Sequence, residues 1–306
     1  RVLALSGGGY RGFFTSEVLV RLEAELKCPL REAVDLTIGT SAGALVAAGI
    51  AHGISAASIA NTFREFGPRI FPASPLNRVS QLIFAAPYSA EPLAQAIDQL
   101  LGEAATALMR SSPGNLAVTV VSQTASEARI YTSGEFASVG RGDLTIKEAI
   151  LSSAAAPTYF PPRRPGAETL VDGGIVANAP ELVGLGLIHK LYGGALDRAR
   201  IIAVGTACPS AGRPALLPGA FSFASWMRPS RNLLLLTLEA QEHLAATIAA
   251  DLLGSNYCKV DLKPTADQAT VMGALDATSK AATETLAAMA EIAWNRKRAE
   301  VLALLT

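Results

Sequence analysis

The run Ile38–Gly39–Thr40–Ser41–Ala42–Gly43 restricts the fold more than any other stretch, because it sets a serine between two glycines where one periodicity gives way to another. Val34, Leu36 and Ile38 alternate as a strand does, and Ala44–Leu45–Val46–Ala47–Ala48–Gly49–Ile50 reads as a buried helix. A strand must therefore turn sharply into a helix at Ser41. Such a turn exposes the serine hydroxyl, and the flanking Gly39 and Gly43 let neighbouring backbone pass where a Cβ would clash, the setting of a nucleophile elbow. The helix that starts there also aims its free N–H groups at charge developing near the hydroxyl. G-x-S-x-G alone fits a small-residue turn in an α/β protein equally well, so the rest of the chain decides.

A second glycine stretch follows the first strand. Val2–Leu3–Ala4–Leu5 runs into Ser6–Gly7–Gly8–Gly9–Tyr10–Arg11–Gly12, and Phe13, Val18, Leu19, Leu22 and Leu26 continue at helical spacing. Strand, glycine loop and helix N-terminus gather backbone N–H groups into an anion site, which can serve as a phosphate cradle or as an oxyanion hole. A dinucleotide fingerprint fits poorly, since the serine elbow stands after the second strand where an acid would be needed. Far downstream, Thr169–Leu170–Val171–Asp172–Gly173–Gly174 reads as a short strand ending in an acid. Asp172 is either a strand-end carboxylate placed for chemistry or an ordinary Asp-Gly turn.

Between these motifs, helices are expected at Ile54–Phe66 with Ser55 or Ser58 as cap, Leu93–Leu101, Thr145–Ser153 with Thr145 as cap, Pro180–Tyr192 and Leu233–Leu253. An interrupted helical region is expected over Asp276–Leu305. Leu116–Val121 and Ile201–Thr206 read as strands, and Ala128–Thr132 as the antiparallel or neighbouring partner of the first. Gly67–Pro92, rich in proline and aromatics, reads as a surface excursion, and Pro209–Arg231 as a lid or interfacial patch. The alternation of strands and helices without internal repeat indicates an α/β chain with one domain over 1–306, its motifs within 1–185 and a helical part at about 230–306.

Charge and cysteine content remove several function classes. Lys+Arg and Asp+Glu number 26 each, so no basic footprint marks a DNA or RNA binder, although a local basic pocket for a small nucleotide stays open. Arg163, Arg164, Arg228, Arg231 and Lys259 are the candidates for such a pocket. The three cysteines, Cys28, Cys208 and Cys258, are scattered, which argues against a disulfide framework or a zinc site and fits a reducing cytoplasm. No apolar run approaches the roughly 18 residues of a membrane span. No metal or cofactor is expected.

Taken together, Gly7–Gly12 as G-G-G-x-R-G, Gly39–Gly43 as G-T-S-A-G and Asp172–Gly174 as D-G-G resemble the patatin-like phospholipase family. The stretch Ser152–Pro162, with Pro157 and Phe160–Pro161–Pro162, is similar to the segment ahead of that family's aspartate. The resemblance implies a three-layer α/β/α fold with a mostly parallel central sheet, and a serine hydrolase that cleaves acyl esters of glycerophospholipids through a Ser–Asp dyad. On the matching positions Ser41 would be the nucleophile and Asp172 the base. Backbone N–H groups of Gly7, Gly8 and Gly9, with the Arg11 side chain, would stabilise the oxyanion. The form Gly-Gly-Gly-Tyr-Arg-Gly-Phe-Phe is also similar to bacterial patatin-like effectors of anti-phage signalling. That likeness implies a cyclic dinucleotide activator, a cytoplasmic protein peripheral to the inner membrane when active, and room for a homo-oligomer. Phe221, Phe223, Trp226 and Met227 are then the candidates for contact with lipid.

The residues themselves agree on one point. A Ser–His–Asp esterase or thioesterase in the chain order Ser, Asp, His needs a histidine after Asp172, and only His189 and His243 follow it, both within expected helices. His52 lies on the wrong side of that order. A non-catalytic binding protein is the remaining alternative, disfavoured because every chemical position is filled.

Overall fold

A computed structural model describes residues 1–72, 88–194, 196–209, 233–273 and 275–306. Strand β1 (Val2–Leu5) leads through one tight helical turn into α1 (Gly12–Leu26); after the single turn α2 (Leu30–Ala33), β2 (Leu36–Gly39) leads into α3 (Ala42–Ala51). Helices α4 (Ala56–Ile70) and α5 (Glu91–Leu101) precede the hairpin of β3 (Leu116–Ser122) and β4 (Glu127–Thr132). Next come α6 (Ile146–Ser153), β5 (Leu170–Asp172), the short α7 (Gly174–Ala177), α8 (Glu181–Tyr192) and β6 (Ile201–Val204). The described chain ends with α9 (Leu233–Leu253), β7 (Tyr257–Val260), α10 (Ala266–Met272) and α11 (Lys280–Leu305). Ser55 and Thr145 cap α4 and α6, accepting the N–H groups of Ser58 and Glu148.

The sheet runs β4-β3-β2-β1-β6-β7, with β5 also paired to β3. β1, β2, β3, β6 and β7 are parallel, and β4 and β5 are antiparallel to β3. Because side chains alternate across a strand, β1 feeds two cores: Leu3 and Leu5 join α1, α3, α4, α5, α6 and α11 on one face, while Val2 and Ala4 join α8 on the other. That is the three-layer order expected from the sequence.

The register places the chemistry. Leu5 of β1 pairs with Gly39 of β2, so the glycine loop and the serine turn leave the sheet side by side. β2 occupies one edge of β3 as far as Val118, and β5 takes over that edge from the opposite direction, bringing Asp172 to Val120. The two strands thus run head-on toward Thr119 and stop on either side of it.

Three local readings change. Helix α4 continues through Pro68 to Ile70, because a proline in the last turn forfeits only one hydrogen bond, and Phe71 and Tyr88 are buried against Phe160 rather than on a surface excursion. Helix α11 runs unbroken, since its alanine-rich stretch holds no glycine or proline. Strand β7 and helix α10 fall in a stretch whose pattern suggested neither: Tyr257–Val260 is too short to show periodicity, and Thr265 with Gln268 forms a capping box. Phe221, Phe223, Trp226, Met227, Arg228 and Arg231, and most of the Gly67–Pro92 stretch, lie outside the described residues. Among the described residues no helix is long and apolar enough to cross a membrane.

The strand-to-helix turn demands close backbone approach. A Cβ on Gly39 would lie 2.1 Å from Gly43 O, and one on Gly43 would lie 2.3 Å from Leu5 O. Gly186, exposed in the middle of α8, has nothing within 4 Å of the same position. Urea unfolding should therefore show Gly39→Ala destabilised by at least about 2 kcal/mol, and Gly186→Ala stabilised by roughly 0.5–1 kcal/mol. Equal effects at the two sites would contradict the packing.

Candidate active site

Ser41 adopts φ 54° and ψ −123°, a left-handed conformation that costs a residue with a side chain of order 1–3 kcal/mol. Neighbours hold it there. The Ser41 N–H donates to Ser153 Oγ at 2.8 Å, and the Ser153 hydroxyl donates to Thr119 O at 2.7 Å. The preceding Thr40 hydroxyl bonds to that of Thr119 and donates to Ala177 O at 2.6 Å. The end of α6, the middle of β3 and the turn after β5 thus all converge on the serine.

Asp172 is 5% exposed, and its Oδ1 accepts the Gly174 N–H at 2.6 Å. Burial raises the carboxyl to about 7, against the lowering effect of the Gly174 N–H bonded to it and of the nearby Ser41 hydroxyl. Neither of these two partners is a cation. The Asp172 N–H donates to Ala155 O at 3.0 Å, tying the strand end to the Ser152–Pro162 stretch.

The glycine loop lies beside this pair, but its members differ. Gly8 and Gly9 line the same cavity as Ser41 and Asp172, and among the described residues their N–H groups meet no protein acceptor. Gly9 requires glycine: its φ is +58° and a Cβ would stand 2.3 Å from Leu275 O, the oxygen that also accepts the Tyr10 N–H. Gly7 corrects the expectation, because its N–H donates to Asn178 O at 2.9 Å and is no longer available to a ligand. Arg11 corrects it too. Its guanidinium is buried, donates to Cys208 Sγ at 3.3 Å, and is absent from the cavity wall.

The cavity spans about 920 Å³, the open solvent at its mouth included, and reaches from Ser41 into the helical layer, between α3, α4, α5 and α6. Leu45, Phe63, Leu93, Ala96, Ile150 and Phe160 form much of its wall, and Leu234 and Leu238 of α9 close one side. Two polar wall residues turn their hydroxyls elsewhere: Thr62 donates to Ser58 O at 3.1 Å, and Tyr10 bonds Thr283 Oγ1 at 2.8 Å. Its size and apolar lining suit a hydrocarbon chain next to a few convergent polar groups.

Other sequence candidates are placed elsewhere. His52 ends α3, bonded to Ala48 O and Ser112 Oγ, while His189 and His243 are exposed on α8 and α9; none of the three lines the cavity. Arg163 pairs with Glu148 at 2.8 Å, and Lys259 is spent on Glu242 at 2.8 Å beside the buried Glu181, so these two do not form a phosphate pocket; Arg164 is exposed. Asn178, Thr119, Ser153 and Gln241 escaped the sequence reading. Only Asn178, four residues beyond Gly174, carried a local signal as a polar residue among apolar ones.

The family described as patatin-like phospholipase matches residues 3–185. A protein of Pseudomonas aeruginosa (strain BWHPSA011 / Pa011) called cGAMP-activated phospholipase is 33% identical over 291 residues, covering 93% of this chain and 85% of that one. A protein of the same description from Escherichia coli (strain TW11681) is 32% identical over 60% of this chain and 54% of its own length. A cUMP-AMP-activated phospholipase of Escherichia coli is 50% identical over 70 residues, 23% of this chain and 22% of that one.

The buried carboxyl has a consequence for stability. With its folded value raised to about 7 against about 3.9 unfolded, Asp172 binds its proton more tightly in the folded state, so stability falls as pH rises between those values. Asp172→Asn removes that cost. Its stability relative to the parent should rise between about pH 4 and pH 8, by an amount on the order of a few kcal/mol, read as Tm or urea midpoint. A difference independent of pH would mean the carboxyl is not desolvated.

Proposed function

Because the chain belongs to the patatin-like phospholipase family, we propose that it hydrolyses acyl esters of membrane glycerophospholipids with Ser41 as nucleophile and Asp172 as base. The observation that carries the assignment of roles is the shared position of the two residues: strands from opposite directions deliver them to either side of Thr119, at the head of one apolar cavity.

In the first half-reaction Asp172 takes the Ser41 hydroxyl proton as Oγ attacks the acyl carbonyl carbon. The carbonyl electrons move onto oxygen, and the Gly8 and Gly9 N–H groups donate to that oxyanion. Collapse of the tetrahedral intermediate breaks the ester C–O bond, the leaving alkoxide receives the proton from Asp172, and a lysophospholipid departs. Water then attacks the acyl-serine, giving its proton to Asp172, and the fatty acid leaves as Ser41 recovers the proton. The acyl chain occupies the apolar cavity. A carboxylate raised to about 7 is a far better base than one near 3.9, and its conjugate acid still protonates the leaving group.

Ser41→Ala and Asp172→Asn should each lower phospholipid hydrolysis by at least about a thousandfold without loss of the folded state. Parent-like turnover by either variant would remove the dyad. Substitution of His189 or His243 should leave hydrolysis at the parent level, which separates this reading from a Ser–His–Asp esterase.

The Pseudomonas aeruginosa relative, which covers 93% of the chain, is called cGAMP-activated, and the short 50% match is called cUMP-AMP-activated. On that ground we propose a cyclic dinucleotide as activator, acting on an enzyme that meets its substrate at the membrane surface. Vesicle phospholipid hydrolysis should increase when cGAMP or cUMP-AMP is added. Equal rates with either nucleotide and without would remove this part of the proposal.

A further inference from the structure

The turn that carries Asp172 is held from outside by one side chain. Gln241 of α9 accepts the Asn178 N–H on Oε1 at 2.8 Å and donates from Nε2 to Gly174 O. Those two backbone groups flank the four-residue α7, so a single amide bridges its ends. One partner is a donor and the other an acceptor, which settles how the amide is turned. Gly174 is consequently gripped on both sides of its Cα, its N–H on Asp172 and its C=O on Gln241.

The adjacent residue of α9 reaches the glycine loop. Glu242 Oε2 accepts from Asn178 Nδ2 at 3.2 Å, and the same Nδ2 lies 3.3 Å from Gly7 O. Asn178 O accepts the Gly7 N–H, completing a two-way link between the loop after β1 and the turn after β5. Glu242 is itself anchored on Lys259 of β7. Neither Gln241 nor Glu242 lines the cavity, whereas Leu234 and Leu238 of the same helix do.

A helix of one turn has little stability of its own, and the Gly173–Gly174 pair at its start has the freest backbone in the chain's repertoire. Without an external brace, rotation about Gly174 would carry its N–H off the carboxylate. We propose that Gln241 is a positioning residue for Asp172: it fixes the Gly174 and Asn178 peptides so that the Gly174 N–H stays on the carboxylate while the Asn178 side chain stays on the glycine loop. This rests on Asp172 being the base of the proposed reaction. The charged groups reached through Asn178 are Glu242 of α9, Glu181 of α8, and Lys259 and Asp261 in and after β7, and none of them is among the groups that shift Asp172. The Gly174 N–H remains the one hydrogen bond to the carboxylate among the described residues, and the nearby Ser41 hydroxyl adds its own lowering effect.

Gln241→Met tests the brace, since it keeps length and bulk but removes both hydrogen bonds. Two measurements are made on the full chain. One is hydrolysis of phospholipid vesicles across pH, and the other is the rate at which an alkyl fluorophosphonate labels Ser41 across pH. The expected result is a kcat lower by about ten- to a hundredfold with KM little changed. The acid-side midpoint of both profiles should also move up by roughly half a pH unit or more, because Asp172 loses a donor to its ionised form. Dividing each labelling rate by the folded fraction measured by circular dichroism at the same pH keeps the midpoint readable if the variant is partly unfolded. A variant with the parent midpoint, whether or not its rate falls, overturns the positioning role and leaves the dyad standing. A parent protein in which, with cGAMP or cUMP-AMP present, Ser41 is not labelled and phospholipid is not cleaved overturns the dyad itself, and this inference with it.

Discussion

Everything at this site depends on a piece of sheet geometry, the sharing of one edge of β3 by two strands that run in opposite directions. β2 gives up the edge at Val118 and β5 takes it up at Val120, so the last residues of each strand are forced together over Thr119. Thr119 is then used three times: its hydroxyl bonds Thr40, its carbonyl accepts Ser153, and the same carbonyl lies 2.2 Å from where a Gly173 Cβ would be. A parallel partner alone could not produce this meeting. Parallel strands deliver their C-terminal ends to the same edge of the sheet, side by side and a strand spacing apart, whereas an antiparallel newcomer brings its end back toward the serine in line with it.

The second constraint is electrostatic. Buried carboxylates ordinarily survive by pairing with a cation. Asp172 instead has two neutral neighbours, the Gly174 N–H bonded to it and the Ser41 hydroxyl near it, and its acidity settles where burial and those dipoles balance, at about 7. The strain recorded at Ser41 and the desolvation recorded at Asp172 are both costs to folding. The hydrogen bonds from Ser153, Gly174, Asn178 and Gln241 hold the two residues in place against them.

Much of this was legible in the amino acids, and the part that was not has a definite physical character. The serine elbow, the glycine loop and the strand-end aspartate were visible because each demands residues with unusual backbone freedom, and glycine is rare enough elsewhere in strands to stand out. Caps such as Ser55 and Thr145 were visible because they act on their own helix. By contrast Ser153 and Gln241 act across 112 and 63 residues of chain, through one or two hydrogen bonds that any serine or glutamine could make. Gly7 shows the same limit from the other side. It belongs to a run of three glycines that look equivalent in sequence, yet its N–H is taken by Asn178 while Gly8 and Gly9 remain turned to the cavity.

The positions of the cations complete the logic. Arg11 sits one turn from the glycine loop and Lys259 belongs to the network behind Asn178, so either could have been a partner for a buried carboxylate. Arg11 is instead directed to Cys208, and Lys259 to Glu242 with Glu181 beyond it. A guanidinium or ammonium next to Asp172 would lower its pKa by about 1–3 units, each unit worth about 1.4 kcal/mol against accepting a proton from serine. It would also attract the oxyanion, so the same charge would help one half of the reaction and hinder the other. Backbone N–H groups escape that conflict. Gly8 and Gly9 line the cavity with N–H groups that meet no protein acceptor among the described residues, and the Gly174 N–H is bonded to the carboxylate, so each partial charge acts on one group at short range. Under the proposed dyad the site must keep its base basic while stabilising an anion beside it, and directed dipoles serve that better than a cation, which is a physical reason for three glycine motifs to meet where a single arginine could have stood.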